Sequence, residues 1–464
     1  MVRFDPGEKA NPKNWSVAYR WYITAAGSLL VLNSTFASSA PSGIVAEMTE
    51  YFGFGKEVAT LTVSLFVAGY CVGPLLWGPL SESFGRRPIF LVAFLGYIGF
   101  QVGCALSKNV ASILVFRFLG GTFASCPLTN AGALLADIWD ADRRGIAMAL
   151  FALAPFAGPA TAPMIAGYIA VSGTSWRWLY WVLCIFASVC GLVVLFTIPE
   201  TYTPILLVKK AHILRKETGD DRYWAPLERR SKTAKTVFQD VIAKPFTILF
   251  MEPMLAAITV YMSFVYGCLY LLFVAYPIVF QQGHGFNAGA GGLMFLALLI
   301  GGVLATTTYI TMFDPRYKRK VAKHAPNGVP PEARLEMTLL VAPLFAISFF
   351  WFGWTSYPNV HWASPMCAGG LLGFAVLGIF VSLFNYIVDT YLFAAASALA
   401  ANTVCRSIFG AVFPLFGRQM YEALNPRWAS TLLGCVALIM VPIPIVLIKY
   451  GPSLRAKSKF SPVK

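Results

Sequence analysis

Residues 78–90 read GPLSESFGRRPIF, and the reading of this short connector decides the fold. It joins two apolar segments, Val58–Trp77 and Ile89–Leu106, each close to the roughly twenty residues that a helix needs to cross a bilayer. Glu82, Arg86 and Arg87 sit between them among turn-forming glycines and prolines. A soluble protein would hide such segments in a core, and a single-span protein would need only one of them. A charged, glycine-broken link between two membrane-length segments is the turn of a polytopic membrane protein.

The composition agrees. Of 464 residues, 57% are hydrophobic and only 12% charged, and the mean hydropathy is +0.65. Soluble domains carry about 25% charge, so lipid is the solvent here. The net charge of +15 raises the question of nucleic acid. The long apolar runs leave no soluble domain to present a basic face, which excludes that partner.

Working outward, twelve apolar segments qualify as spans, the first Trp21–Ala40 and the last Ala429–Ile448. Ser112–Asp137, Ile146–Val171 and Tyr391–Gly417 are long enough to tilt or project. Six spans end by Ile198 and six begin at Leu255. The expected division is a tail (1–20), a six-helix bundle (21–198), a central loop (199–252), a second six-helix bundle (253–449) and a tail (450–464). The fold class is all-α: twelve transmembrane helices in two bundles, as a transporter built from repeats requires. The first twenty residues lack the apolar core of a cleavable signal, so the first span serves as its own insertion signal.

If the N-terminus is cytoplasmic, 29 of the 36 basic residues fall on the inner side. They include Arg3 to Arg20, Arg86 and Arg87, Arg143 and Arg144, ten residues between Lys209 and Lys244, Arg316 to Arg334, and the C-terminal lysines. This asymmetry places both termini inside. The nine cysteines form no CxxC pair and the four histidines show no metal spacing, so no metal or cofactor is expected.

Within the connector, Gly78 and Pro79 are expected to end one helix. Gly85 permits a turn with positive φ, and Pro88 starts the next helix. Glu82 is placed to accept hydrogen bonds from a helix N-terminus. Arg86 and Arg87 can reach lipid phosphate or a carboxylate, with Asp137 at the inner end of the fourth span as candidate. A plain positive-inside anchor explains the arginines but not the glycines and the glutamate.

The pattern G-x-x-x-E-x-x-G-R-R at Gly78–Arg87 resembles the signature loop of the major facilitator superfamily, with Ser83 where a basic residue is usual. TMFDPRYKRK (Thr311–Lys320) is a degraded echo in the second half, keeping Asp314 and Arg316. RFLGGTFAS, from Arg117, is similar to the arginine motif of proton-coupled members. ALAPFAGPATAPMIAG is similar to the antiporter motif built on Gly158-Pro159, with Ala154 and Ala162 replacing its flanking glycines. With PETYTPILL and WRWLYW, the chain resembles the fungal twelve-span drug:proton antiporters along nearly its full length. That branch also carries polyamines, vitamins and metabolites.

The resemblance implies alternating access by a monomer, driven by protons, in the plasma membrane or the vacuolar membrane. It places Asp389 near an inner gate, where it serves either as N-cap of the eleventh span or as a partner of Arg86 or Arg87. Arg117 and Arg406 lie within spans, at a cost of about 2.5–3.5 kcal/mol each at a helix centre. Asn402, one turn before Arg406, and Asn33, in a silent glycosylation sequon, join them as cavity candidates. The alternative for the arginines is hydrogen bonding to backbone carbonyls. Tyr261, Tyr266 and Tyr270 of the seventh span are candidates to pack against cargo, with lipid-facing and helix-packing roles as the alternatives. No carboxylate falls in mid-span, so proton coupling rests on the resemblance, and a neutral or anionic organic cargo suits the two arginines better than a polyamine. A membrane nutrient sensor is the competing class. An intramembrane enzyme is not expected, since no HExxH, GxSxG or paired catalytic acids occur.

Overall fold

The computed structural model describes residues 1–5, 7–139, 141–228, 243–324, 329–391, 394–458 and 460, with the side chains of 141–144 set aside. Arg143, Arg144, Arg229, Arg230, Lys232, Lys235, Lys459 and Lys464 of the charge analysis therefore lie outside what is described. In hydrocarbon each backbone N–H and C=O must be satisfied within its own segment, and helices do this. The described residues are accordingly helical and contain no strand.

The first bundle comprises α1 (Val17–Ser39), α2 (Lys56–Phe84), α3 (Arg86–Ala105), α4 (Val110–Ile138), α5 (Ala141–Val171) and α6 (Arg177–Thr197). The second begins with α7 (Pro253–Tyr276), then α8 (Leu296–Thr308), α9 (Glu336–Thr355) and α10 (Ala363–Tyr391). Among the described residues, eleven continuous stretches are long and apolar enough to cross a membrane, the last of them the 63-residue Ala395–Lys457. That stretch holds two crossings. Asn425 leaves the helical region (φ 59°, ψ 155°), and Pro426 follows it at a position suited to restart a helix. The parts on either side are α11 (395–424) and α12 (426–440), and Pro442–Lys457 carries α12 onward to the inner face.

Contacts between chain segments sort the two ends. Val2 N–H bonds Trp224 O, and Lys210 Nζ bonds Asp5 and Glu8, so the N-terminal tail lies on the central loop. The ammonium of Lys210 holds the Glu8 carboxyl below its usual range. Ser458 Oγ donates to Glu252 Oε1 at the start of α7, 2.8 Å away. At the opposite end Arg177 donates to Tyr51 OH and Ser107 O. The N-terminal tail and the described part of the central loop thus pack together, and the C-terminal segment lies beside the start of α7.

Within the first bundle α2 packs on α4, α1 on α5, and α3 on α4 and α6; in the second, α7 packs on α11 and α10 on α8 and α9. The bundles meet along α2 with α11, and along α5 with the short helix Ala288–Leu293 that leads into α8. Small residues make the second seam close. A Cβ on Gly167 would lie 2.2 Å from Ala288 O, so only glycine allows this approach at the outer ends of α5 and α8.

One expectation fails locally. Gly78 and Pro79 do not end α2, which runs on to Phe84. Asn130 of α4 holds the last turns in place: its Nδ2 donates to Trp77 O at 3.3 Å, and its Oδ1 accepts from Ser81 Oγ at 2.8 Å. Tertiary clamping overrides the local breakers, as is common for proline in membrane helices. The C-terminal tail also begins as helix, continuing to Lys457.

Candidate functional site

At the inner end of the first bundle the turn between α2 and α3 is a single residue, Gly85, with φ +98°. Two reasons fix glycine there. The backbone is left-handed in φ, and a Cβ would lie 2.3 Å from Glu200 Oε2. Glu200, just beyond α6, caps α3: Oε1 accepts from Arg86 N at 2.9 Å and Oε2 from Arg87 N at 3.2 Å. Its Oε1 also accepts from the N–H groups of Thr201 and Tyr202. A carboxylate on the exposed N–H groups of a helix start is stabilised by the local dipole. Glu82, the connector's own acid, lies exposed at the end of α2 and is not the carboxylate that caps α3. PETYTP supplies it instead, from 114 residues away.

Arg86 is buried and points along the bundle end. Its Nε is 3.4 Å from Asp137 Oδ2, its Nη1 donates to Ser81 Oγ, and its guanidinium stacks on the Tyr202 ring at 4.8 Å. The Arg86–Asp137 contact is the one expected from the sequence. Arg87 turns away and donates to Leu195 O at 2.6 Å.

The second bundle repeats the arrangement with different residues. Asp389 is not an N-cap of α11, whose N-cap residue is Ala394 and has no side-chain cap bond. It lies inside the last turn of α10, because that helix extends to Tyr391. Arg334, just ahead of α9, donates from Nε to Asp389 Oδ2 at 2.7 Å, and Tyr317 OH bonds the same oxygen at 3.2 Å. Asp389 therefore answers Arg334 rather than Arg86 or Arg87. Beside this pair Arg455 forms a bidentate, buried ion pair with Glu332, at 3.0 and 2.9 Å. Each bundle thus ties the start of its third helix to the end of its fourth, and also to the segment after its sixth. Asp314, the echo residue, is buried and pairs with Lys318.

The second group of candidates lies at the bundle interface. Ser38 of α1 and Tyr270 of α7 join the bundles through a 2.8 Å hydroxyl bond. Tyr270 OH is 3.5 Å from Tyr266 OH. Arg406 of α11 stacks on Tyr266 at 4.9 Å, with Phe384 and Phe380 at 5.7 and 5.8 Å. It is only partly buried, and its Nε has no protein partner. A guanidinium held by aromatic faces, with donor capacity to spare, is a recognition group for anions and flat π systems. Further contacts across the interface are Cys71 Sγ to Val404 O and Gln419 Nε2 to Glu57 Oε1 at the outer end, 2.8 Å.

The other candidates occupy the interior of a bundle. Asn402 is fully buried and reaches Thr259 Oγ1 and Met262 Sδ of α7, so it does not share an open cavity with Arg406. Asn33 is likewise fully buried, with neither amide atom bonded to protein. Tyr261 is buried in the second bundle. Arg117, 0% exposed, takes the carbonyl option: Nε donates to Thr62 O, and Nη2 to Ala37 O and Ser38 O, at 2.7, 2.9 and 3.1 Å. Its guanidinium also lies over the Phe66 ring at 4.0 Å. The arginine therefore ties α4 to α2 and α1, one residue being Ser38, which itself holds Tyr270. Gly158 lets α5 close on α1, where a Cβ would lie 2.6 Å from Phe36 N. Pro159 O accepts from Ser39 Oγ at 3.3 Å.

Residues 27–414 match the family described as Major Facilitator Superfamily. The chain is 42% identical over 464 residues to the MFS-type efflux pump MFS2 of Trichophyton rubrum, covering 99% of this chain and 77% of that one. It is 42% identical over 452 residues to the major facilitator superfamily multidrug transporter mdrA of Aspergillus fumigatus, covering 97% and 74%. Among solved structures it is similar to the xylose transporter XylE from E. coli in a partially occluded inward open conformation. There the TM-score is 0.64 at 18% identity, covering 93% of this chain and 99% of that one.

Proposed function

We propose that this chain, which belongs to the major facilitator superfamily, expels a small aromatic organic molecule, neutral or anionic, in exchange for protons. It is a multi-pass membrane transporter and not an enzyme; the cargo class, the coupling ion and the plasma membrane as its location belong to the proposal. The observation that carries it is Arg406, partly exposed at the bundle interface, stacked on Tyr266 and flanked by Phe380 and Phe384. A site with a guanidinium, aromatic faces and two tyrosyl hydroxyls attracts flat acceptor-rich molecules and repels polycations. Among the described residues no carboxylate lies in mid-span to offset that charge; the buried acids Glu200, Glu252, Asp314 and Glu332 are all at the inner ends. Export is the direction in the name of the Trichophyton rubrum relative, an efflux pump, and the resemblance of the arginine and antiporter motifs supports proton exchange.

The test uses fluorescein, an aromatic anion, loaded into yeast cells stripped of their own pumps. Cells expressing the chain should lose the dye faster than controls, and Arg406→Gln at equal membrane abundance should lose most of that advantage. Equal efflux by the Arg406→Gln protein would remove Arg406 from the cargo site.

A further inference from the structure

α8 continues past the membrane through Tyr309–Phe313 into a helix, Asp314–His324, at the inner face. In the first bundle the equivalent connection is the single residue Gly85, so the fold does not require this helix. Its two sides differ. Asp314 and Tyr317 face the bundle, where Asp314 is buried and Tyr317 bonds Asp389.

The other side lines a cleft of about 720 Å³ against the start of α9. Arg316, Arg319, Lys320 and Lys323 line it, and their spacing of i, i+3, i+4 and i+7 puts all four on one helix face. One acid opposes them, Glu336, which pairs with Lys320. Among the described residues no carboxylate pairs with Arg316, Arg319 or Lys323. Below the cations the cleft is apolar. Met312, Leu339 and Leu340 line it, and all three are more than 40% exposed on membrane-crossing stretches. The cleft therefore runs from hydrocarbon depth, where these side chains meet acyl chains, to headgroup depth, where the guanidinium and ammonium groups lie.

We propose that this cleft binds an anionic phospholipid whose inositol headgroup carries additional phosphate groups. Arg316 and Arg319 provide planar forks for phosphate oxygens, Lys323 provides a third cation, and the acyl chains lie along Met312, Leu339 and Leu340. Basic pockets between membrane helices on the inner side suit such headgroups. Three cations left without a carboxylate exceed what a single bridging phosphate neutralises, which favours the polyphosphorylated headgroup over a singly charged lipid.

The test uses the full chain in nanodiscs of phosphatidylcholine alone, with a few per cent of phosphatidylinositol bisphosphate, or with phosphatidylserine at matched total charge. Thermal unfolding midpoints and lipid retention in native mass spectrometry are read for each. The bisphosphate discs should raise the midpoint by several degrees and keep lipid bound. At about one kcal/mol per basic residue, Arg316→Gln/Arg319→Gln/Lys323→Gln should weaken retention roughly a hundredfold. The same variant should match the parent in phosphatidylcholine alone; if it does not fold, Lys323→Gln serves with a proportionately smaller loss. Equal midpoints in all discs, an equal gain from phosphatidylserine, or retention unaffected by the substitutions would overturn the proposal. Full stabilisation by soluble inositol trisphosphate would overturn it too, by assigning the cleft to a free phosphate ligand.

Discussion

Arg334 Nε and Asp389 Oδ2 meet at 2.7 Å in the second bundle, in the place where Arg86 Nε and Asp137 Oδ2 meet at 3.4 Å in the first. The partners are 55 residues apart in one case and 51 in the other. Both pairs join the start of a third helix to the end of a fourth, and so brace the same end of each bundle.

Removing either arginine should therefore impair the conformational cycle more than folding. Arg86→Ala keeps the backbone N–H that Glu200 accepts, so α3 remains capped. Transport per inserted molecule is expected to fall roughly 5–150-fold, the range of a coupling free energy of 1–3 kcal/mol, and Arg334→Ala should behave alike. Quantitative membrane blots beside flux measurements check this; unchanged flux in both variants would reduce the pairs to surface anchors.

The Glu332–Arg455 pair has a different consequence. Both side chains are at least 90% buried, and breaking such a pair costs about 3–5 kcal/mol because one charge is left without its partner. Arg455→Ala should lower the thermal midpoint of the purified protein by many degrees. The double change Glu332→Gln/Arg455→Met should recover much of that loss, since no bare charge then remains.

Arg117 is bound by carbonyls of two neighbouring helices. Arg117→Lys keeps the charge but has no planar fork to reach Thr62 O and the Ala37 and Ser38 oxygens together. Lysine should restore part of the stability that Arg117→Ala loses. Because Ser38 also bonds Tyr270, the alanine variant should also change cargo affinity. A lowered midpoint with an unchanged KM would confine Arg117 to packing.

The legibility of these features follows from the range of the interactions. The all-helical, multi-pass character is a composition effect and could be read directly. The Arg86–Asp137 contact was accessible because both residues sit at helix ends on the same side of the membrane. Glu200 could not be assigned to the cap of α3, because nothing near residue 200 encodes a partner 114 positions earlier. Asp389 was misplaced for a related reason: an acid before a run of alanines looks like an N-cap, while the packing that extends α10 to Tyr391 is tertiary. Gly78 and Pro79 mark a helix end by propensity, and Asn130 cancels the signal from another helix. The choice for Arg117 between carbonyls and cavity required the positions of α1 and α2, which no local pattern contains.

The outer seam gives a prediction of its own. A side chain at Gly167 cannot coexist with the carbonyl of Ala288, 2.2 Å from its Cβ position. Gly167→Val should hold α5 away from the start of α8 and favour an outward-facing state. A cysteine placed at Ser172 or Asn287 should then react faster with a membrane-impermeant maleimide, while transport falls. Unchanged labelling would mean that the seam does not close the outer face.

Proton-driven movement of cargo is the most direct test of the central claim. Purified protein is reconstituted into liposomes with its inner face outward, and fluorescein is supplied outside while the lumen is made acidic. Fluorescein should accumulate in the lumen above its external concentration, with luminal protons leaving as it enters, and both fluxes should stop on adding a protonophore. Accumulation of the same size without a pH gradient, or movement of fluorescein with no proton movement, would contradict exchange against protons.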